Sequence, residues 1–248
     1  MSDEESATKT EQARRVREMF ATIAARYDLL NHLLSGTIDK RWRRRVAKTL
    51  HFILSTAAPS VLNKARILDV ACGTGDLSFT LFENGEARIV GVDFCRPMLQ
   101  IATSKASRLG FEVPFIEGDA LSLPFLDRSF EAATIAFGLR NLTGLEAGFA
   151  ELLRVLKPGG KLVVLEFSKP TTPVLRSLFR IYFTRVLPLF GGWISGSRSA
   201  YQYLPESVSR FPDQTALASI MKQAGFEEVT FQNLSGGIAA LHLGMRPH

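Results

Sequence analysis

Acidic residues and glycines are grouped in the first half of the sequence in a way that suits a nucleoside ligand. The stretch Leu68-Asp69-Val70-Ala71-Cys72-Gly73-Thr74-Gly75 has an acid in an apolar segment and two glycines just after it, where the backbone can turn tightly and approach a ligand. Asp93 closes the next apolar segment, and its carboxylate can accept hydrogen bonds from both hydroxyls of a ribose. Asp119 follows the third, where it can accept from an adenine amino group while the amide of Ala120 donates to a ring nitrogen. These residue types predict an adenosine site.

A dinucleotide with phosphates is the obvious rival for such a loop. The nicotinamide-dinucleotide fingerprint needs a third glycine three residues after the second, for helix–strand packing beside a pyrophosphate. Ser78 occupies that position, so the pattern fails. Residues 67–167 hold nine basic and thirteen acidic residues, and an acidic segment suits a cationic sulfonium better than a polyphosphate. The favoured cofactor is therefore S-adenosylmethionine.

The elements that must position these residues alternate in the order of a parallel sheet. Helical patterns, over 76–82, 96–108 and 145–156, separate apolar runs that indicate buried strands. A further helix at 214–224 precedes two β-like stretches, 228–233 and 238–244, which are joined by so short a turn that they should pair antiparallel. This order predicts the class I methyltransferase form of the Rossmann-like α/β sheet, mostly parallel with an antiparallel last strand. The predicted parallel strands are 66–71, 88–92, 113–117, 132–137 and 161–166.

Length and composition agree with one globular domain. The chain has 248 residues, of which 46% are hydrophobic and 22% charged, and its two cysteines fit a reducing compartment. We expect a single methyltransferase domain made of an N-terminal helical cover (1–65), a cofactor-binding core (66–167), a helical insertion (168–212) and a C-terminal helix and hairpin (213–248). The acidic, polar opening and the lack of an apolar run of membrane-spanning length predict a cytoplasmic protein.

Four stretches of the sequence resemble the quinone C-methyltransferases of the ubiquinone/menaquinone (UbiE/MenG) family, and the resemblance covers roughly residues 14–246. The lysine-proline-glycine-glycine turn at 157–160 is common to many methyltransferases, whereas the stretches around Phe137 and Tyr201 are more specific to this family. The four stretches are Phe20-Ala21-Thr22-Ile23-Ala24-Ala25-Arg26-Tyr27-Asp28 with Asn31; Phe137-Gly138-Leu139-Arg140-Asn141; the segment from Leu153 to Pro170; and Tyr201-Gln202-Tyr203-Leu204 with Phe211-Pro212-Asp213-Gln214.

This resemblance implies which residues contact the cofactor. Two departures from the family pattern matter: the first loop glycine is Ala71 here, and a serine that contacts the cofactor in some members is Ala136. The implied cofactor-binding residues are Asp69, Gly73, Thr74, Gly75, Asp93, Asp119 and Ala120.

The acceptor in this family is a ring carbon, a poor nucleophile unless the neighbouring hydroxyl loses its proton. A base or polarised water would therefore help, and an arginine could stabilise the developing phenolate. Arg140 is our first candidate, with Tyr27 and Asp28 on an N-terminal helix expected to cover the cofactor mouth. Asn141, Tyr201 and Tyr203 are candidate substrate contacts. The chemistry needs no metal, and the four histidines are scattered.

The net charge of +6 comes from two segments outside the predicted core. Residues 13–66 hold twelve basic and three acidic residues, and residues 168–212 hold six basic and one acidic. Both contain helical patterns with aromatics, at 39–50 and 173–187, which suit an anionic membrane surface where a polyprenyl quinol would be met. A contact with a second subunit of a homo-oligomer would explain the same residues.

Other functions fit the sequence less well. An RNA methyltransferase would want base-flipping or stacking residues or a late nucleophilic cysteine, but both cysteines precede residue 96, so we expect no nucleic-acid partner. A lipid or sterol methyltransferase on the same fold is a weaker candidate, as is a scaffold that binds the cofactor without turnover. Within the quinone family the motifs do not separate naphthoquinol from benzoquinol acceptors. We favour methylation of demethylmenaquinol, with the 2-polyprenyl-6-methoxy-benzoquinol of ubiquinone biosynthesis as the alternative.

Overall fold

The computed structural model describes residues 3–57, 65–85, 87–186 and 198–248, which form eight α-helices and seven strands. The helices are α1 (Asp3–Leu34), α2 (Ile38–Ala57), α3 (Asp76–Glu83), α4 (Arg96–Leu109), α5 (Leu145–Val155), α6 (Pro173–Ile181), α7 (Arg198–Arg210) and α8 (Gln214–Gln223). The strands are β1 (Arg66–Val70), β2 (Arg88–Asp93), β3 (Phe115–Glu117), β4 (Phe130–Ala136), β5 (Leu156–Phe167), β6 (Glu227–Leu234) and β7 (Ala239–Met245). A 3₁₀ turn (Leu139–Asn141) follows β4, and a π-helical turn (Tyr182–Val186) follows α6.

The seven strands form one sheet in the order β3-β2-β1-β4-β5-β7-β6. The first five pair in parallel, and β7 pairs antiparallel with both β5 and β6. The strand order reverses between β1 and β4, and ligands of doubly wound sheets bind outside the carboxyl ends of the strands at such a reversal. The predicted class I methyltransferase sheet with its antiparallel last strand is confirmed.

Helices cover both faces of the sheet because β1, β4 and β5 are apolar on both sides. On one face, α2 buries Trp42, Val46 and Leu50 against a cluster that includes β5 and β7. On the other, α5 and α8 bury Phe149 and Leu217 in the larger core. Burying a side chain of this size contributes roughly 1.5–3 kcal/mol, so these two clusters hold the sheet rigidly. The site at the strand ends therefore rests on a fixed platform.

Most predicted element boundaries differ from the observed ones by one or two residues, and two differ in kind. Residues 157–160 were predicted as a turn before the fifth strand, but β5 begins at Leu156 and those residues form an irregularity between its first and later pairings with β4. Gly159 has a φ of 72°, which lets the strand bulge and then resume. The helix predicted over 173–187 is α-helical only to Ile181 and continues as the π-helical turn; residue 187 lies outside the described residues. No helix of the described part is both long and apolar enough to span a bilayer.

Candidate active site

An open cleft with about 830 Å³ of empty space, open solvent included, lies beyond the carboxyl ends of β1, β2 and β4. It is open between the loops that follow these strands and is roofed by α1, which contributes Phe20 and Tyr27. We call it the cofactor cavity. Of the residues predicted at the site, six line it: Tyr27, Gly73, Asp93, Asp119, Ala120 and Asn141.

Asp93 is held in this cavity by backbone amides. Its Oδ2 accepts a hydrogen bond from the N–H of Gly73 at 2.9 Å, and its Oδ1 accepts from the N–H of Cys95 at 2.8 Å. The carboxylate is buried, and burial raises the pKa of Asp93 to about 6 although these two N–H groups favour the charged form. The backbone of Phe94 also favours the charged form, and the carboxylate lines the cavity, where it can accept from the hydroxyls of a ribose.

The loop after β1 depends on backbone conformations that bring it close to the cavity. Ala71 has a φ of 52°, and Gly75 a φ of 85°. A Cβ on Gly75 would lie 2.9 Å from Phe115 and from Phe79, so only glycine fits there. Gly73 has a φ of 56°, and a Cβ on it would meet nothing within 4 Å. The loop thus has open space on its cavity side, as a closely approaching ligand would require.

Asp119 lies on the opposite side of the cavity, just after β3. Its Oδ1 accepts from the N–H of Leu121 at 2.9 Å, which fixes the turn and leaves the other oxygen free. Ala120 lines the cavity beside it. Asp93 and Asp119 therefore both line the cavity, each at or just after the end of its strand.

Asp69 does not line either cavity of the site. It is 1% exposed, and its carboxylate accepts from Ser78 Oγ at 2.6 Å and from Thr134 Oγ1 at 2.9 Å. Burial raises the pKa of Asp69 to about 6 against these two hydrogen bonds. These contacts tie β1 to β4 and α3 beneath the loop, and the cofactor contact predicted for Asp69 stays a prediction.

Thr74 and Asp28 bind each other at the edge of the cofactor cavity. Thr74 is 2% exposed and donates to Asp28 Oδ1 at 2.5 Å. Lys105 lies 2.9 Å from Asp28 Oδ2 and 2.5 Å from Asp76 Oδ1. These contacts hold α1 against α3 and α4, so Asp28, predicted as catalytic, secures the helical cover.

A second cavity, with about 700 Å³ of empty space including open solvent, adjoins the first and is lined mainly by apolar side chains. Phe20, Tyr27 and Phe137 line both cavities and form the boundary between them. Trp42 and Phe167 pack near Phe137, with ring centroids 6.0 and 4.9 Å from it. We call this the acceptor cavity. A flat aromatic ring fits such a set of side chains, and a ligand atom near the shared wall would be close to the cofactor.

Arg140 lines the acceptor cavity as half of a buried ion pair. Its Nη1 lies 2.8 Å from Glu166 Oε1 and also donates to the carbonyl of Phe137 at 2.6 Å. The side chains of Arg140 and Glu166 are 6% and 1% exposed, and Arg140 Nε is buried without a hydrogen-bond partner. An N–H donor that is buried without a partner beside a cavity is available to an oxygen atom of a ligand.

Tyr203 also lines the acceptor cavity, and its partner Asn141 lines the cofactor cavity. Tyr203 donates to Asn141 Oδ1 at 3.0 Å, and Asn141 Nδ2 donates to the carbonyl of Phe137 at 3.4 Å. Burial raises the pKa of Tyr203, so its hydroxyl stays neutral and acts as a donor. Phe137 has a φ of 57°, a conformation that bulky residues rarely adopt, and the side chains of Arg140 and Asn141 both bind its carbonyl.

Comparison with known proteins agrees with this geometry. The model of the ubiE/COQ5 methyltransferase family matches residues 7–246. The chain belongs to this family. It is 52% identical to a demethylmenaquinone methyltransferase of Thermus thermophilus over 92% of this chain and all of the relative, and 45% identical to that of Deinococcus radiodurans over 95% and 94%. A ubiquinone/menaquinone biosynthesis C-methyltransferase of Pseudomonas aeruginosa is 39% identical over 98% and 93%.

Solved structures share the fold at low identity. The [4+2]-cyclase SpnF has a TM-score of 0.64 at 18% identity and covers 95% of this chain and 96% of its own. A methyltransferase of Thermotoga maritima, described as a possible histamine N-methyltransferase, has a TM-score of 0.58 at 20% identity and covers 92% and 98%. Together with the family match, these findings confirm the predicted family, the fold and an S-adenosylmethionine-dependent methyltransferase.

Several residues of this family member's site escaped the sequence prediction. The aromatic boundary and the acid beside Arg140 come from distant parts of the chain. The signals that could have indicated them are the motif around Phe137 and, for the acid, its position at the end of a strand. The predicted substrate contact Tyr201 lies in α7, but its side chain is not among those that the structure describes. Gly75 and Thr74 belong to the loop after β1 and do not line the cofactor cavity. The residues missed are Phe20, Asp39, Trp42, Phe137, Glu166 and Phe167.

Proposed function

We propose that this protein transfers a methyl group from S-adenosylmethionine to a ring carbon of demethylmenaquinol, forming menaquinol. The observation that carries the proposal is the aromatic boundary formed by Phe20, Tyr27 and Phe137. The cavity on one side of it is lined by the acids Asp93 and Asp119, and the cavity on the other side by aromatic rings and Arg140. The 52% identity to a demethylmenaquinone methyltransferase supports the naphthoquinol acceptor.

The residues of the cofactor cavity fit S-adenosylmethionine. Asp93 would accept from both ribose hydroxyls, and Asp119 and Ala120 would bind the adenine. Gly73, on which a Cβ would meet nothing within 4 Å, leaves room beside the loop for the rest of the molecule. When bound, S-adenosylmethionine supplies an electrophilic methyl group on a cationic sulfur.

The protein itself aligns the ring with the cofactor, excludes water and supplies a positive charge. The aromatic side chains of the acceptor cavity would stack on the ring and keep water from the reacting carbon. Arg140 would donate to the ring oxygen as negative charge develops there, which a preorganised donor does at little cost in a dry site. Tyr203 and Asn141, linked at 3.0 Å, hold the wall that carries this donor.

The assay that tests the proposal uses labelled S-adenosylmethionine and the full chain under anaerobic, reducing conditions. Demethylmenaquinol and the 2-polyprenyl-6-methoxy-benzoquinol are offered side by side. We expect label on the naphthoquinol. Label on both rings would make this an enzyme of two pathways, and label on neither, with cofactor binding intact, would overturn the proposal in favour of a lipid or other acceptor.

We further propose that the protein works as a peripheral enzyme at the inner face of the cytoplasmic membrane, through α6. Its residues Val174, Leu178 and Ile181 recur at helical spacing and are 72%, 58% and 48% exposed. Arg180 and Arg185 are exposed near this face. An exposed apolar stripe with arginines beside it suits the headgroup region of an anionic membrane, where each basic residue contributes about 1 kcal/mol.

The other side of α6 reaches the acceptor cavity indirectly, through aromatic contacts with Phe167. Phe179 and Phe183 stack at 4.2 Å, and Phe183 packs on Phe167 of the cavity wall at 5.6 Å. A helix with one face on the membrane and the other on the cavity wall would place the polyprenyl quinol's entry beside the bilayer.

A further inference from the structure

The acceptor cavity is lined by one carboxylate among the described residues, that of Asp39. Asp39 is the second residue of α2 and is 4% exposed, and Ser35 and Arg43 line the cavity beside it. Arg140 and Tyr203 line the same cavity. The cavity therefore holds a buried acid as well as a cation, although its walls are otherwise mainly apolar.

Three donors hold the carboxylate of Asp39. Ser35 Oγ donates to Oδ1 at 2.6 Å, His32 Nδ1 lies 2.8 Å from Oδ2, and Arg43 Nη1 also binds Oδ2. Burial alone would raise the pKa of Asp39, but the Ser35 hydrogen bond and the charges of Arg43 and His32 outweigh it and lower the pKa. Asp39 is therefore ionised at neutral pH and can accept a proton, and its lowered pKa makes it a weaker base than a free carboxylate. The Ser35 hydroxyl leaves Oδ1 one further lone pair.

Other groups in the cavity are less suited to accept a proton. Arg140 is a cation already paired with Glu166, and Glu166 does not line the cavity. Tyr203 donates its hydroxyl hydrogen to Asn141 and has a raised pKa. Asp76, which lies 3.6 Å from both His32 Nε2 and Arg43 Nη1, is on the far side of Asp39's partners.

We propose that Asp39 is the general base that removes the proton from the acceptor's ring hydroxyl. The inference rests on the proposed function. The O–H bond breaks and its proton passes to a carboxylate oxygen of Asp39, while the oxygen's electrons are delivered through the ring to the carbon that bonds to the methyl group. The carbon–sulfur bond breaks with its electron pair on sulfur. The methylated ring then loses its C–H proton and regains the O–H, so one proton is released overall.

The groups around Asp39 and the acceptor oxygen have different roles in this step. Arg140, across the cavity, would stabilise the oxygen as its proton leaves, and Ser35, His32 and Arg43 hold Asp39 in place as positioning residues. The groups that face Asp39 are His32 from α1, Arg43 from α2 and, through these two, Asp76 from α3.

The decisive experiment compares kcat of the wild type, Asp39→Asn and Asp39→Glu with demethylmenaquinol from about pH 6 to about pH 10 under anaerobic conditions. General bases contribute typically about 10² to 10⁴ in rate, so we expect kcat of D39N to fall at least about 100-fold near pH 7. The deficit should shrink at high pH, because the acceptor hydroxyl then ionises without a base. D39E, which keeps the carboxylate, should recover activity.

Asp76→Asn is the matched control because it removes a carboxylate of the same ionic network that does not line the cavity. It should keep the wild-type shape of the pH profile. A purely structural role of Asp39 predicts an equal deficit of D39N at every pH, or the same profile in D39N and D76N, and either result overturns the inference. If the wild type itself methylates no quinol, the proposed function fails first and this inference with it.

Discussion

Arg140 and Glu166 form an ion pair, 2.8 Å between Nη1 and Oε1, at the end of the sheet and almost wholly out of water. Glu166 also accepts from the N–H of Phe167 at 2.9 Å, so the acid is fixed by its own strand. Removing one partner of a buried pair typically costs about 3–5 kcal/mol, because the other charge is left uncompensated.

We therefore expect Glu166→Gln to lower the free energy of unfolding by about 3 kcal/mol in urea titrations. The double variant Arg140→Met, Glu166→Gln should recover much of this loss, because no buried charge remains. Methyl transfer should be lost in both. A stability of E166Q close to wild type would mean that water reaches this pair.

Asp69 supplies a prediction about stability and pH. Because burial raises the pKa of Asp69 to about 6 from 3.8, the folded protein binds more protons than the unfolded chain between about pH 4 and pH 6. Stability contributed by this group is thus present at low pH and lost as pH rises through that window. A shift of about two units corresponds to about 2–3 kcal/mol.

The variant Asp69→Asn should remove that dependence. Its unfolding free energy relative to wild type should rise by about 2–3 kcal/mol from pH 4 to pH 7, since the amide can still bind the Ser78 and Thr134 hydroxyls without carrying charge. Asp69→Ala is the control, because it leaves both hydroxyls unpaired and should destabilise at every pH. Parallel pH curves for wild type and D69N would contradict the prediction.

Asp93 links cofactor affinity to pH. Burial raises its pKa to about 6, so below that pH the carboxyl is protonated and loses acceptor capacity for two ribose hydroxyls. Binding of S-adenosylmethionine measured by calorimetry should weaken by about tenfold from pH 7 to pH 5. Asp93→Asn should bind about 10- to 100-fold more weakly at pH 7, with a flatter pH dependence. Equal pH dependence in both proteins would exclude Asp93 as the cause.

The contacts of Lys105 with Asp28 and Asp76 predict how firmly α1 is held. Lys105→Met would leave two partly buried carboxylates without their common cation, and we expect a loss of about 1–2 kcal/mol. Amide hydrogen exchange in α1 should become faster, and cofactor affinity should fall. Arg14→Ala is the control: its pairs with Glu11 and Glu18 are exposed, so stability should change by less than about 0.5 kcal/mol. Unchanged exchange in K105M would show that apolar packing alone holds α1.

The exposed face of α6 can be tested by vesicle sedimentation. The double variant Leu178→Asp, Ile181→Asp should lose binding to vesicles containing phosphatidylglycerol at low salt, whereas the wild type should bind these and not phosphatidylcholine. Leu126→Asp is the control, since Leu126 is 83% exposed but lies outside α6. Failure of the wild type to bind anionic vesicles would overturn the membrane proposal, as would a double variant that changes only the oligomeric state measured by light scattering.

The sequence alone was enough for the class of fold and for the cofactor side of the site. Apolar runs that alternate with helical patterns predict a parallel sheet. The acids Asp93 and Asp119 mark the ends of two strands, and the topology brings these ends to one edge of the sheet. These are local patterns: each element is encoded by its own residues, and right-handed crossovers leave few arrangements. The family motifs added the reaction type.

Tertiary structure decided the acceptor side. The acceptor cavity brings together residues that lie more than a hundred positions apart in the sequence, among them Asp39, Trp42, Phe167 and Tyr203. No spacing rule relates these residues before α2, β5 and α7 pack around one cavity. It also showed that Asp69 binds the hydroxyls of Ser78 and Thr134, since a carboxylate's partners depend on what lies beside it in space. The local sequence pattern determines each helix and strand. Burial, ion pairing and cavity shape arise only where distant elements meet, and these properties set the chemistry of the acceptor cavity.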